Sequence, residues 1–257
     1  MGEGHLQLTS DDPLIVWFDY TTKLGFSELQ DIVLLLGALG EKDIARFTFN
    51  AQAKNYVKFP EKEDEDDNVS NDTAIEYSSL TEEREREYRY DYFSDLYSTA
   101  GLDPEELSKE LKDYASTKLP SLIVKALDDI AMDTMGENHE LDFEILSSVH
   151  YKDGANMVTI TGAIIKGIER KTLKDRMNIN SWKFKPKPNY QPFKLTLQQM
   201  TFREYLTLDR FASSNEDIVK VKAALNFSRI GDHSIEKVYE EFKLISRFYP
   251  SFLEVAT

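Results

Sequence analysis

The sequence predicts an α+β protein, and three stretches of the chain support this fold class. Residues 14–18 are apolar strand formers that follow Asp11-Asp12-Pro13, a pattern that predicts a buried strand. Alternating apolar and polar residues flank Lys152-Asp153-Gly154, as is typical of a β-hairpin. Three helical stretches follow after residue 200. Strands mixed with helices, followed by helices alone, indicate the α+β class.

The first strand is followed by a predicted helix. Ser27 and Gln30 have the spacing of a capping box, and Gly40 is placed to end the helix. Its expected apolar stripe is Leu29, Ile32, Val33 and Leu36. Over residues 43–59 the odd positions are mostly apolar, which predicts one long strand or a hairpin bent near Asn50.

Three further helices are predicted at residues 81–96, 103–118 and 121–135. The first carries acidic residues in its first turn, and the second has Asp103 as a cap with Pro104 at the first position. The C-terminal helices are expected at 201–211, 216–227 and 234–248.

These elements divide the chain into three parts. An α+β domain spans residues 1–180 and contains an acidic surface excursion at 61–80, a helical part at 81–136 and the hairpin at 139–168. A connector rich in Pro and Lys covers 181–194, where three prolines exclude an interior helix or a central strand. A helical unit covers 195–257.

Composition excludes several classes of protein. With 257 residues, 41% of them hydrophobic, and with 28 Phe and Tyr, the chain has enough apolar material to fold. No apolar run reaches the eighteen or so residues that a membrane helix needs, and the N-terminus has no export pattern. The absence of cysteine excludes disulfides and thiolate metal sites. We therefore expect a protein of the cytoplasm of the producing cell that contacts no membrane.

Charge is distributed unevenly along the chain. The net charge is −15, yet residues 61–91 hold thirteen acidic and four basic residues, whereas 152–194 hold ten basic and three acidic. The overall charge argues against a nucleic-acid partner, because phosphate contacts need a basic footprint. Opposite patches favour docking to other protein subunits, as a homo- or hetero-oligomer, although two solvated surfaces would give the same pattern.

Aromatic and basic residues alternate in the connector, which we expect to be an interface. A second group of aromatics at 88–97 belongs mainly to the core, with two residues available for an interface. The interface candidates are Trp182, Lys183, Phe184, Lys185, Lys187, Tyr190, Tyr90 and Tyr97.

Two patterns resemble metal sites, and neither leads us to predict a bound metal or any other cofactor. Residues 64–72 place oxygen donors at calcium-loop spacing, but Val69 stands where the sharp turn needs Gly and Ile75 where the bidentate Glu belongs. Glu140, Asp142 and Glu144 share one face of the first hairpin strand, where a solvated strand face is the simpler explanation.

Residues 195–206, followed by a short acidic gap and two more helices, resemble segments of tail-assembly and baseplate-hub proteins of tailed bacteriophages. The resemblance covers about a quarter of the chain. It implies a non-enzymatic component or chaperone of a viral tail or baseplate, which would be incorporated in a virion.

The sequence thus leads to a structural or assembly protein with no catalytic residues. One alternative is a metal-dependent hydrolase that uses the hairpin carboxylates. The other is a single-strand nucleic-acid binder that uses residues 182–190.

Overall fold

The computed structural model describes residues 12–57, 81–103, 119–136, 140–185, 187–195, 202–214, 217–225 and 234–245. The chain divides into two compact units, Met1–Lys194 and Leu195–Thr257. The first unit contains a mixed five-stranded sheet together with helices, so the predicted α+β class is confirmed.

The sheet has the strand order β1-β2-β4-β3-β5. Strands β1 and β2 are parallel and are joined by helix α1, whereas β4 is antiparallel to both β2 and β3. The strands are β1 Ile15–Asp19, β2 Ile44–Asn50, β3 Leu141–Asp153, β4 Ala155–Lys166 and β5 Phe193–Leu195.

The described helices of the first unit are α1 Phe26–Ala38, α2 Glu82–Thr99, α3 Leu119–Gly136 and the short α4 Arg170–Arg176. Apolar side chains of α1, α2 and α3 form one core with the sheet, centred on Phe47, Phe49 and Ile160. A smaller cluster joins Leu146, Ile165 and Leu173 of α4. Burial of these side chains is the main favourable term for the unit.

The predicted start of α1 is wrong. The helix begins at Phe26 after Gly25, and Ser27 lies inside its first turn without capping it. The Ser27 hydroxyl instead donates to Glu28 Oε2 at 3.1 Å. The helix ends at Ala38, before Gly40, and Val33 of the expected stripe is exposed, while Leu35 is buried.

The alternating residues 43–59 are described as far as Val57, and over this part they form neither a hairpin nor one long strand, because β2 ends at Asn50. Asn50 Oδ1 accepts the backbone N–H of Gln52 at 2.9 Å and the side-chain amide of Asn55 at 3.2 Å. These local bonds turn the chain into a 3₁₀ turn at Ala53–Asn55.

The central helices follow the prediction with shifted ends. Helix α2 is capped by Thr81 and continues to Thr99, and α3 begins at Leu119, with Pro120 in its first turn. The helix predicted at 103–118 lies outside the described residues, apart from Asp103.

The hairpin forms as predicted, with Gly154 at φ +69° in its turn. A β-bulge between Ile145 and Ser147 interrupts the alternation of β3. Leu146 therefore joins the smaller cluster with Ile165 and is buried.

The segment predicted as an extended connector is folded. A 3₁₀ turn at Ile179–Ser181 leads into it, a second lies at Pro188–Tyr190, and the segment ends in β5. The Ser148 N–H donates to the Phe184 carbonyl at 2.9 Å, so the segment lies along the edge of β3. Proline excludes a central strand, yet it leaves turns and an edge strand open.

The second unit has helices α5 Phe202–Ser214, α6 Ile218–Ala224 and α7 Ile235–Ile245 in its described part. Their shared core comprises Leu208, Val221, Leu225, Val238, Tyr239 and Phe242. Asp217 caps α6, and the Ser234 hydroxyl accepts the Lys237 N–H at 3.3 Å at the start of α7.

Candidate functional site

The carboxyl ends of the parallel strands β1 and β2 bring two loops together. The loop at 20–25 leads from β1 into α1, and the loop at 51–57 follows β2. The Asn50 N–H donates to the Thr22 carbonyl at 2.8 Å, and the Tyr20 N–H donates to the Thr48 carbonyl at 2.9 Å. In open sheets of this βαβ kind, ligands bind beyond the carboxyl ends of the strands.

Tyr56 links the two loops from a fully buried position. Its hydroxyl accepts the N–H of Leu24 at 2.8 Å and donates to the carbonyl of Asn50 at 2.7 Å. Burial raises the pKa of this phenol well above its ordinary value, although the Leu24 bond opposes that shift. The hydroxyl therefore keeps its proton and holds both loops in place.

Glu28 lies in the first turn of α1 and faces the same loops. Its carboxylate accepts the Thr22 hydroxyl at 2.5 Å and the Ser27 hydroxyl at 3.1 Å. Burial by itself would raise its pKa, but these bonds, together with backbone N–H groups of Glu28 and Gly25, outweigh it and lower the pKa. An ionised carboxylate thus already occupies the positive end of the helix.

Tyr92 of α2 covers the loop at 20–25. Its hydroxyl donates to the Leu24 carbonyl at 2.8 Å, and its ring lies against Tyr56 at 5.5 Å between centroids. The ammonium group of Lys23 lies 4.2 Å from the centre of the same ring. Burial lowers the pKa of Lys23, and the charge of Glu28 partly opposes this change.

These residues form what we call the carboxyl-edge cluster: Lys23, Glu28, Tyr56 and Tyr92. None of the four was identified from the sequence. The signal that would have found them is the placement of a loop between a buried parallel strand and a helix, since such loops carry function.

The predicted interface residues lie in two different environments. Tyr97 is only 2% exposed and donates to Asp129 Oδ2 at 2.5 Å, so it is a core residue rather than a surface one. Tyr90 is half-buried against the main core. Both residues lie on the charged helix α2, as the sequence predicts, but α3 covers the side of α2 that carries Tyr97.

The candidates in the segment after residue 181 remain partly accessible. Trp182 is 43% exposed, and Lys183 and Lys187 are exposed. Phe184 packs edge-on against Phe193 at 5.1 Å, whereas Lys185 is half-buried. Their role in binding another protein subunit stays a prediction.

Tyr190 belongs to the surface of α3. It hydrogen-bonds to Asp128, whose pKa is raised by burial and lowered in part by this bond. The ammonium group of Lys125 lies 5.6 Å from the ring centre. Tyr190 therefore attaches its segment to the first unit.

The hairpin carboxylates form ion pairs with basic side chains of the same chain. Glu144 binds Arg170 Nε at 2.7 Å and Lys174 Nζ at 2.6 Å, and Asp142 binds Arg170 at 3.3 Å. These ion pairs explain the acidic strand face without a metal. Among the described residues no group of three His, Asp or Glu is placed to hold a metal ion, and the calcium-like residues 64–72 lie outside them.

Within the described part of the chain, the search for a helix long and apolar enough to cross a membrane finds none.

A family model described as "Putative O-methyltransferase" matches residues 4–257. No curated protein matches significantly, and no solved structure does.

The family match corrects the sequence interpretation in three respects. The family is not a phage tail or baseplate family, so the assignment based on residues 195–206 is wrong, and incorporation in a virion has no support. It points to an enzyme rather than to a structural or assembly protein. It also gives no support to a hydrolase or a nucleic-acid binder. The short strand and helix pattern that suggested the phage proteins is common to many folds.

Proposed function

Because the chain belongs to this family of O-methyltransferases, we propose that it transfers a methyl group from S-adenosylmethionine to an oxygen atom of an acceptor. The observation that carries the proposal is the extent of the match, from residue 4 to residue 257. A methyl donor then takes the place of the earlier expectation that the protein uses no cofactor.

We place the donor at the carboxyl-edge cluster. The position follows from the βαβ unit, because parallel strands joined by a helix open their ligand site at the carboxyl ends. The cluster also brings a buried and a half-buried phenol, an ionised carboxylate and an ammonium group together at two adjoining loops. Perturbed ionisable groups of this kind favour a functional site.

The chemistry of the cluster fits a ligand without phosphate. Glu28 already occupies the N-terminus of α1, the place where a phosphate would otherwise bind. S-adenosylmethionine has no phosphate, and it carries a ribose diol, an adenine ring and a sulfonium cation. A carboxylate accepts hydrogen bonds from a diol, and aromatic faces bind flat rings and cations. When bound, the donor supplies an electrophilic methyl group.

Two residues of the cluster then have distinct roles. Glu28 holds the donor through its ionised carboxylate. Burial lowers the pKa of Lys23 and so favours its neutral amine form, and in that form Lys23 Nζ accepts the proton that an acceptor hydroxyl loses as its oxygen is methylated. Tyr56 and Tyr92 keep their protons because burial raises their pKa values.

The proposal is tested by calorimetric titration with S-adenosylhomocysteine, the product form of the donor. The wild-type protein is expected to bind one equivalent. Glu28→Gln keeps the shape of the side chain but removes its charge, so binding weakens by about 10- to 100-fold, the range of a lost charge-assisted hydrogen bond.

Glu41→Gln is the matched control. Glu41 is a half-buried acid that precedes β2 at the opposite end of the strand and pairs with Lys166 at 2.9 Å, so its loss is expected to leave binding unchanged. Absence of binding by the wild-type protein refutes the donor. Equal losses in both variants refute the site.

The proton role has a separate readout. Lys23→Met is expected to abolish transfer of a tritiated methyl group to acceptors supplied by a cell extract while S-adenosylhomocysteine still binds. Full activity in this variant excludes Lys23 as the base.

A further inference from the structure

Arg89 of α2 is a buried cation whose hydrogen-bonding capacity is largely unused. Its side chain is 0% exposed, and its Nη2 donates to Glu85 one turn earlier in the helix. Nε and Nη1 have no hydrogen-bond partner in the structure as described. These two nitrogens carry three of the five N–H bonds of a guanidinium group.

A buried guanidinium group with unpaired N–H groups destabilises the folded protein unless a ligand or another group accepts those hydrogen bonds. Arginine stays charged inside proteins, and a buried charge needs both an opposite charge and acceptors for its N–H groups. Glu85 supplies a single acceptor oxygen and is itself partly exposed. The open N–H groups therefore suit an anion with two oxygens, which a guanidinium binds through paired hydrogen bonds.

Arg89 also lies beside the carboxyl-edge cluster. It shares the inward face of α2 with Tyr92 and Phe93, which follow it by three and four residues. Phe93 stacks on Tyr56 at 5.6 Å, and Tyr92 contacts Lys23 and Leu24. One helical turn corresponds to about 5.4 Å along the axis, so Arg89 is one turn away from residues of the cluster.

We propose that Arg89 is the carboxylate-binding residue of this site. Its two unpaired nitrogens, Nε and Nη1, receive a carboxylate, either from the amino-acid end of the methyl donor or from the acceptor. The identity of the carboxylate rests on the proposed function, whereas the binding of a carboxylate does not.

The first experiment compares two ligands by calorimetry. S-adenosylhomocysteine carries the amino-acid carboxylate, and 5′-methylthioadenosine lacks it. Arg89→Met is expected to weaken the binding of S-adenosylhomocysteine by about 10- to 100-fold and the binding of 5′-methylthioadenosine by less than about threefold. Arg89→Lys keeps the charge but loses the planar guanidinium group, and its affinity for S-adenosylhomocysteine is expected to lie between those of the wild type and Arg89→Met.

Arg84→Met is the matched control, because Arg84 is an exposed arginine of the same helix. It is expected to bind both ligands as the wild-type protein does. If Arg89→Met does not fold, Arg89→Lys carries the comparison. Equal losses for the two ligands in an Arg89 variant indicate a structural role for Arg89 and overturn the proposal.

The second experiment uses succinate alone and separates this proposal from the proposed function. The melting temperature of the wild-type protein is expected to rise in succinate relative to sodium chloride of equal ionic strength, and that of Arg89→Met is not. If neither nucleoside binds, this shift still supports Arg89 while the methyl donor is refuted. If the affinity for S-adenosylhomocysteine does not depend on Arg89 but the shift of the melting temperature in succinate does, the carboxylate belongs to the acceptor. If neither response depends on Arg89, the proposal is overturned.

Discussion

Gly162→Ala is expected to destabilise the first unit by forcing Phe143 out of its packing. A Cβ atom placed on Gly162 meets the Phe143 ring at 2.3–2.8 Å, which is too short for carbon atoms that are not bonded to each other. Phe143 is 3% exposed and lies edge-on to Phe47 at 6.2 Å, so its ring has little room to move. Overpacking of this kind costs about 1–3 kcal/mol.

Replacing glycine in a strand also has a favourable side. Alanine loses less conformational entropy on folding, by about 0.5–1 kcal/mol. The net expectation for Gly162→Ala is therefore a loss of about 1–2 kcal/mol, which lowers the melting temperature by about 4 °C for a unit of this size. Urea unfolding followed by circular dichroism measures the free energy directly.

Two variants make the explanation specific. Phe143→Leu in the Gly162→Ala background removes the clashing ring edge, so the two changes are expected to couple by at least about 1 kcal/mol. Gly37→Ala is the control, since a Cβ atom there meets nothing within 4 Å, and it is expected to stabilise α1 by about 0.5–1 kcal/mol. Additive effects of Gly162→Ala and Phe143→Leu, or wild-type stability of Gly162→Ala, contradict the packing argument.

Three further predictions, the first with a control substitution, test the fold of the first unit. Tyr56→Phe removes the hydroxyl that bonds to the buried N–H of Leu24 and to the partly buried carbonyl of Asn50, and it is expected to lower the free energy of unfolding in urea by about 2–3 kcal/mol. Tyr20→Phe removes a hydroxyl that bonds at 3.5 Å to the exposed carboxylate of Asp31, and it is expected to cost less than about 0.5 kcal/mol. Asp43→Ala removes acceptors of two backbone N–H groups at 2.8 Å and is expected to cost about 2 kcal/mol. Burial and, to a lesser extent, the charge of a nearby lysine lower the pKa of His150 from 6.5 in the folded protein. As the pH drops below about 6.5, the unfolded chain therefore binds a proton at His150 more readily than the folded protein does, and the free energy of unfolding falls. His150→Gln is expected to flatten this fall between pH 7.5 and 5, and an unchanged profile excludes His150 as its source.

Local patterns predicted much of the sheet and most helices. The β1 run and the hairpin turn at Gly154 are encoded by neighbouring residues, so they are visible in the sequence. The bulge after Ile145 is decided by packing of Leu146 on a helix that lies later in the chain. The end of β2 is decided by the Asn50 side chain, which a period-two pattern does not reveal.

The candidate site was not predicted, because its residues are ordinary in sequence. Lys23, Glu28, Tyr56 and Tyr92 lie up to 69 positions apart along the chain, and only the parallel pairing of β1 and β2 brings their loops together. Tyr97 shows the opposite failure, since the sequence predicts helix α3 but no local pattern reveals that α3 packs against Tyr97. Charge and aromatic content drew attention to the segment after residue 181, whose binding role is still a prediction.

Hydrogen exchange followed by mass spectrometry, with and without saturating S-adenosylhomocysteine, tests the position of the donor site most directly. The donor is expected to slow exchange in peptides that cover residues 20–28 and 50–57, the two loops of the carboxyl-edge cluster, and to leave residues 167–181 unchanged. Protection confined to other parts of the chain, or no protection at any concentration of the ligand, contradicts the account.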